Sequence, residues 1–360
     1  MSCFGPLQNH RAQATRGHQV INRQYLLAER PQGAVQEHHL RYHKAEVPEL
    51  TSGQMLVQVE YYSLDPSMKG QMEASVSYAA GIPIGGVMRG RGVGRVVASR
   101  NAGVPVGAQV FGFFGMQDYA MCTGDEPHFH VFDPAVDPQA ALGVLGGTGM
   151  TAYFGLLDIG KPQQGDTLLV SGAAGATGSV AGQIGRIKGC RVIGVAGTAE
   201  KCAWLVEGLG FDGAINYRQD DLASALDTLC PEGIDVFFDN VGGDILDLAL
   251  ARLKLHARVV LCGGISRYEL TGKPTGPGNY FNLVLTRSRM EGFLLSDYLS
   301  RFDEARGDLR AWFETGALKQ RATVYEGFKS LPTALVALFQ GANTGKMLVR
   351  SDLKLEVPQP

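Results

Sequence analysis

Residues 170–189 read VSGAAGATGSVAGQIGRIKG, with Gly172, Gly175 and Gly178 at three-residue spacing. The run TLLVSG (167–172) that leads into them is apolar enough for a strand buried on both faces. Residues 179–188 then carry the apolar spacing of a helix. Strand, glycine turn and helix in this order suit an anion. Glycine lets the backbone approach a pyrophosphate, and the helix N-terminus offers unpaired N–H groups and a partial positive charge. The spacing differs from the G-x-G-x-x-G fingerprint, so a tight strand-to-helix turn without a ligand is the competing reading. The series that follows favours the ligand: strand RVIGVAG (191–197), helix EKCAWLVEGLG (200–210), strand AINY (214–217), a helix within 220–229, strand IDVFFDNVG (234–242), helix ILDLALARL (245–253) and strand ARVVLCGG (257–264). This alternation predicts an α/β fold with a doubly wound parallel sheet. A last strand over FLL (293–295) and a helix over 298–314 complete it.

The preceding segment has a different style. MLVQVEYYSL (55–64), GVGRVVAS (92–99) and AQVFGFF (108–114) are short β-like runs punctuated by Pro83, Gly85, Gly86 and Pro105. They predict a strand-rich, partly open barrel over 22–145, followed by the dinucleotide-binding unit over 146–319. The tail 320–353, with a helix at LPTALVALF and a strand at KMLVR, is expected to return to the barrel. Residues 1–21 read as an extension without fixed structure.

Composition narrows the function. Hydrophobic residues make up 45% of 360 and charged residues 19%, which suits two folded domains. The 33 basic and 35 acidic side chains give no broad field for nucleic acid or an anionic membrane. None of the six cysteines forms a C-x-x-C pair, and no apolar run is long enough to span a bilayer. A reducing, cytoplasmic setting is expected.

The strand tip after the glycine loop selects the cofactor. A NAD site places an acid there for the ribose 2′-hydroxyl. Here the tip reads Val195-Ala196-Gly197-Thr198-Ala199, and Lys201 opens the next helix. An ammonium suits a 2′-phosphate and predicts NADP(H), although Thr198 as a cap with Lys201 merely solvated would produce the same letters. A zinc site would need Cys and His converging in the N-terminal half. Cys122, His128 and His130 are there, but no thiol or histidine lies near Asp65 or Arg89 to Gly92, and the His128–His130 pair lacks a third ligand at suitable spacing, so no metal is expected.

Several stretches together resemble the medium-chain dehydrogenase/reductase superfamily: INRQYLLAERPQG (21–33), SLDPSMKG (63–70), GTGMTAYFGLLDIG (147–160), residues 171–201, FFDNVGG (237–243), LCGGISRY (261–268), RMEGF (289–293) and GANTGKMLV (341–349). Within it the chain is similar to the zinc-free prostaglandin reductases and alkenal double-bond reductases. The resemblance implies a Rossmann domain with a GroES-like barrel, a homodimer, and NADPH-dependent reduction of the C=C bond of α,β-unsaturated aldehydes and ketones. It also implies a phosphate loop at Gly175, Ala176, Thr177 and Gly178, and 2′-phosphate contacts from Lys201 and Tyr217. Asn240, the stretch Cys262, Gly263, Gly264, Ile265 and Ser266, the stretch Phe293, Leu294 and Leu295, and Asn343 would meet the rest of the cofactor.

Tyr268 is the implied catalytic residue, since its phenol is a donor for the enolate that hydride addition leaves. Two departures bear on the substrate. Ser67 stands where the family often has tyrosine, and Met116 where tryptophan is common. Ser67 implies a wider or more polar pocket, and Glu269 replaces a frequent asparagine; the changes leave the implied cofactor site intact and bear on the substrate. A quinone reductase and a non-catalytic NADPH-binding protein are the alternative readings.

Overall fold

The computed structural model describes residues 20–73, 80–272 and 274–354. The expected extension therefore lies outside the described residues up to residue 19, and Ile21 already belongs to a strand. The short apolar runs of the N-terminal third form β1 (Ile21–Leu27), β2 (Leu40–Glu46), β3 (Met55–Ser63), β4 (Gly92–Ser99), β5 (Gln109–Gly112), β6 (Tyr119–Cys122) and β7 (His130–Phe132). The second half supplies β8 (Thr167–Val170), β9 (Arg191–Ala196), β10 (Gly213–Asn216), β11 (Ile234–Asp239), β12 (Leu253–Leu261) and β13 (Arg289–Gly292). The tail adds β14 (Ala322–Glu326) and β15 (Lys346–Arg350).

β8 to β13 make one parallel sheet in the order β10-β9-β8-β11-β12-β13. This is the doubly wound order, with the reversal at β8. All four residues of β8 are buried, as its apolar run demands. The remaining long sheet runs β14-β15-β3-β4-β5-β7, with β6 also on β3. Among the described residues it stays open. β1 and β2 form a separate ribbon joined to it by the bridges Gln24–Gln117 and Leu26–Val87. β15 lies antiparallel to β3, so the tail does return to the N-terminal sheet.

Three boundaries differ from expectation. The helix after the glycine loop starts at Ala176 because Gly175, extended at φ −83° and ψ 174°, is its N-cap. Low-propensity Thr177 and Gly178 conceal that first turn in the sequence. The last strand is Arg289–Gly292: its register ends with Gly292 opposite Leu261, so Phe293 to Leu295 leave the sheet. The expected helix over 298–314 is α-helical only over Phe302–Glu314, with 3₁₀ turns over Leu295–Arg301 before it.

One glycine joins the two sheets. Gly345 immediately precedes β15 and donates its N–H to Ala174 O at 2.7 Å, making a parallel bridge with Gly175. Its φ is +70°, and a Cβ there would sit 1.8 Å from Arg321 O. Gly345→Ala is expected to lower unfolding stability by about 2–4 kcal/mol, read from urea denaturation. A change within about 0.5 kcal/mol would show that the junction tolerates a side chain.

Candidate active site

The C-terminal ends of the parallel strands face β15 and the N-terminal sheet across a cleft of about 1280 Å³. It opens where strand order reverses, beside β8, and is larger than a drug-sized pocket. Gly172, Gly175, Ala176, Thr177 and Gly178 line it. A Cβ on Gly178 would lie 2.5 Å from Gly172 O, so only glycine lets the helix start this close to the turn. The adjoining strand ends are fixed by buried polar groups. Ser171 Oγ donates to Asp239 Oδ1 at 2.6 Å and accepts the Asn240 N–H, while Asn240 Nδ2 donates to Ser171 O. Asp239 also accepts the N–H groups of Val241 and Gly242. Burial nevertheless holds its carboxyl above the ordinary range.

At one end lie Gly197, Thr198, Lys201, Tyr217 and Arg218. Thr198 Oγ1 accepts the Lys201 N–H at 3.2 Å, so the threonine is indeed a cap. The Lys201 side chain is not merely solvated: Nζ donates to Gly341 O at 2.7 Å, and burial followed by nearby Arg218 lowers its pKa. The guanidinium of Arg218 lies 5.7 Å from the Tyr217 ring centroid. The carboxylates that line the cleft are Asp65, Glu126 and Glu269, and none comes from these strand ends. Sequence reasoning passed over Arg218, although it directly follows Tyr217.

The middle of the cleft is lined by Asn240, Cys262, Gly263, Ile265, Ser266, Tyr268, Phe293, Leu294, Leu295 and Asn343. Cys262 and Gly263 both donate their N–H groups to Asp239 O. Burial, then Asp239, pushes the Cys262 thiol up to about 12, so it contributes shape and not a nucleophile. Gly264 belongs to the same turn but does not line the cleft. Its carbonyl instead accepts the Arg267 N–H. Met116 does not line it either. It is 1% exposed and packs in the core behind the N-terminal sheet, because its backbone pairs with Tyr25 and Met88 and faces the side chain inward.

The opposite wall carries residues that the sequence alone did not single out, together with the expected Ser67 and with His128, which the sequence offered only as a metal ligand. Lys346 and Asp65 form a buried ion pair at 3.1 Å, and Ser63 Oγ also donates to Asp65. Burial alone would raise the Asp65 carboxyl, but Lys346, Arg91 and Ser63 bring it down to about 2. Arg91, Phe113 and His128 continue this wall. His128 and His130 are both lowered to about 4, by burial first and then by nearby arginine charge, and so are neutral at neutral pH.

Metal ligation fits this wall poorly. Among the described residues, Glu29, His38 and His39 are the group whose ligand atoms all lie within 4.8 Å, and Cys122, His128 and His130 do not form one. His39 Nδ1 already accepts the Gln36 N–H at 2.8 Å, which leaves Nε2 as the protonated nitrogen. Burial pushes the Cys122 thiol up to about 12.

Known proteins share this architecture. A model of the N-terminal domain of oxidoreductases matches residues 23–129, and one described as zinc-binding dehydrogenase matches 176–311. The chain is 41% identical to the NADPH-dependent curcumin reductase of Escherichia coli (strain K12), over 91% of this chain and 96% of that one. It is 37% identical to the 2-alkenal reductase (NADP(+)-dependent) of Nicotiana tabacum, over 92% and 98%. The crystal structure of CurA in complex with NADPH from Vibrio vulnificus superposes with a TM-score of 0.88 at 41% identity, covering 92% of this chain and 100% of that one. With its doubly wound sheet, its glycine loop and relatives that align over nearly the whole length, the chain belongs to the medium-chain dehydrogenase/reductase family.

Proposed function

We propose that the protein is an NADPH-dependent reductase of C=C bonds conjugated to an aldehyde or ketone. The observation that carries this reading is one continuous cleft. It is lined at one end by the glycine loop and Lys201, with no carboxylate from the neighbouring strand ends, and further along by Tyr268. The names of the curcumin and alkenal reductases support it. Gly175 to Gly178 receive the pyrophosphate on helix N–H groups, and Lys201, Tyr217 and Arg218 receive the 2′-phosphate. Asn240, the 262–266 turn, Phe293 to Leu295 and Asn343 bound the space for the nicotinamide half.

NADPH, when bound, supplies the hydride that adds to the alkene carbon β to the carbonyl. The alkene electron pair then becomes the substrate enolate. The Tyr268 hydroxyl donates a hydrogen bond to that enolate oxygen, and a proton reaching the α-carbon by way of Tyr268 or water completes the saturated carbonyl. Cys262 keeps its proton, and no step uses a metal. Ser67 leaves the pocket mouth open to bulkier substrates.

The domain reading follows: residues 22–145 with 320–353 form the substrate-side unit, and 146–319 the cofactor unit. A homodimer is part of the proposal. β13 is the outer strand of the parallel sheet, and Tyr280, Phe281, Val284 and Leu285 stand exposed in the segment leading to it. Light scattering should give twice the 38.6 kDa chain mass, and a monomer at micromolar concentration would overturn this part.

NADPH oxidation is to be followed with a 2-alkenal, an enone, a quinone and a saturated aldehyde. Turnover of the alkenal and enone is expected, with NADPH preferred to NADH. Lys201→Ala should raise KM for NADPH about tenfold or more while leaving that for NADH nearly unchanged. Tyr268→Phe should lower kcat about 10²-fold. Activity on the quinone alone, or equal effects of Lys201→Ala on both cofactors, would contradict the assignment.

A further inference from the structure

We propose that the substrate carries a carboxylate, and that Arg91 binds it from the wall of the cleft opposite the cofactor loops. This rests on the double-bond reduction proposed above and adds a substrate class to it.

Arg91 stands directly before β4, its backbone fixed by the Ser63 N–H donating to its carbonyl at 2.9 Å. Its guanidinium carbon lies 4.8 Å from the Phe113 ring centroid. A Cβ built on Gly147 would be 3.2 Å from both Cζ and Nε, so the group is wedged between an aromatic face and the start of the helix Gly147–Phe154. Yet among the described residues this held guanidinium has no hydrogen-bond acceptor. Its Nε is buried without one. The paired carboxylate, Asp65, is 3.6 Å from Nη1, too far for a hydrogen bond, and is already engaged by Lys346 and Ser63. One carboxylate therefore faces two cations, and a surplus positive charge with unused donors faces the cleft.

The surroundings add to that charge. The helix Gly147–Phe154 begins at Arg91 and contributes the positive end of its dipole. Arg89 lines the same cleft. It donates to the carbonyl of Ala80 and has no carboxylate partner among the described residues. Glu126, the nearest acid in sequence to His128, also lines the cleft but is already engaged: its oxygens accept the Thr123 and Gly124 N–H groups at 2.7 and 2.8 Å. Burial first, and then Arg91 and Arg306, lower the His128 imidazole to about 4, so it adds no charge of its own to this wall. The cofactor's own anionic groups are served by the glycine loop and Lys201 on the other sheet. What remains for Arg91 is the substrate. A planar fork of donors held over the Phe113 ring matches a carboxylate in a bidentate geometry, while Phe293 and Leu294 offer apolar surface to the chain between that carboxylate and the enone.

The test uses a series of enones ending in a carboxylate, from 7-oxooct-5-enoate to 10-oxoundec-8-enoate, each against its methyl ester. The series covers the unknown spacing between anion and alkene. At the best length the acid should exceed its ester in kcat/KM by about tenfold, the difference lying in KM and shrinking with added salt. Arg91→Gln should bring the acid-to-ester ratio to about one, and Arg91→Lys should keep part of it. A ratio near one in the native protein at every length would overturn the proposal. So would Arg91→Gln lowering kcat for acid and ester alike, which would place Arg91 on the enolate. If no enone is reduced, double-bond reduction itself fails, and calorimetry with the NADP⁺-loaded protein decides the anion site separately. The saturated keto acid binding about tenfold tighter than its ester supports the site, and equal affinities overturn it.

Discussion

Two adjacent residues, Gly345 and Lys346, hold the cleft in shape. Gly345 ties the chain to the glycine loop through Ala174, and Lys346 reaches back with its ammonium to Leu64 O and Asp65 on the opposite wall. β15 then continues as a partner of β3. A buried ion pair adds little net stability against an apolar substitute, but losing one partner leaves an uncompensated charge. Here the pair specifies position: it fixes the wall bearing Asp65 and Ser67 at a set distance from the glycine loop. Burial lowers the Lys346 pKa while Asp65 opposes that shift, and Lys346 is in turn the largest of the charges that bring the Asp65 carboxyl down.

The rest of the site follows from strand order. β8 has β9 on one side and β11 on the other, and the connections leave in opposite directions. The crevice between them receives the Gly172–Gly178 turn, the Thr198–Lys201 cap and the Asn240 turn from three successive strand ends. Ser171 and Asp239 crosslink β8 and β11 at this point through a buried hydrogen bond at the floor of the crevice. The positive groups divide between the two walls, with Lys201 and Arg218 on the parallel sheet and Arg89 and Arg91 on the other. Such a division suits a ligand pair with anionic groups at separated ends.

Local signals in the sequence were a good guide to the parallel sheet and to the residues that line the cleft from its strand ends. The glycine spacing, the strand-helix alternation and the missing acid after Val195 all lie within short windows, where periodicity and turn chemistry act directly. The wall formed by the N-terminal sheet was less legible. Arg91, Phe113 and His128 meet there from three separate segments, and only the fold brings them together. Met116 shows the converse. Its place in a familiar pattern suggested the pocket, yet the pairing of its backbone with Tyr25 and Met88 sends its side chain into the core. Phe293 looked like a strand residue because FLL is apolar, but the register with Leu261 ends the strand one residue earlier and frees it for the cleft.

The central claim is that one cleft delivers a hydride to the β-carbon of a conjugated alkene. The most direct test is to run the reaction with NADPH deuterated at C4, in each of its two stereochemical forms, and to locate the label in the product by NMR. One form should give a saturated carbonyl compound with a single deuterium on the β-carbon. Deuterium on the carbonyl carbon of an unsaturated alcohol would contradict the account.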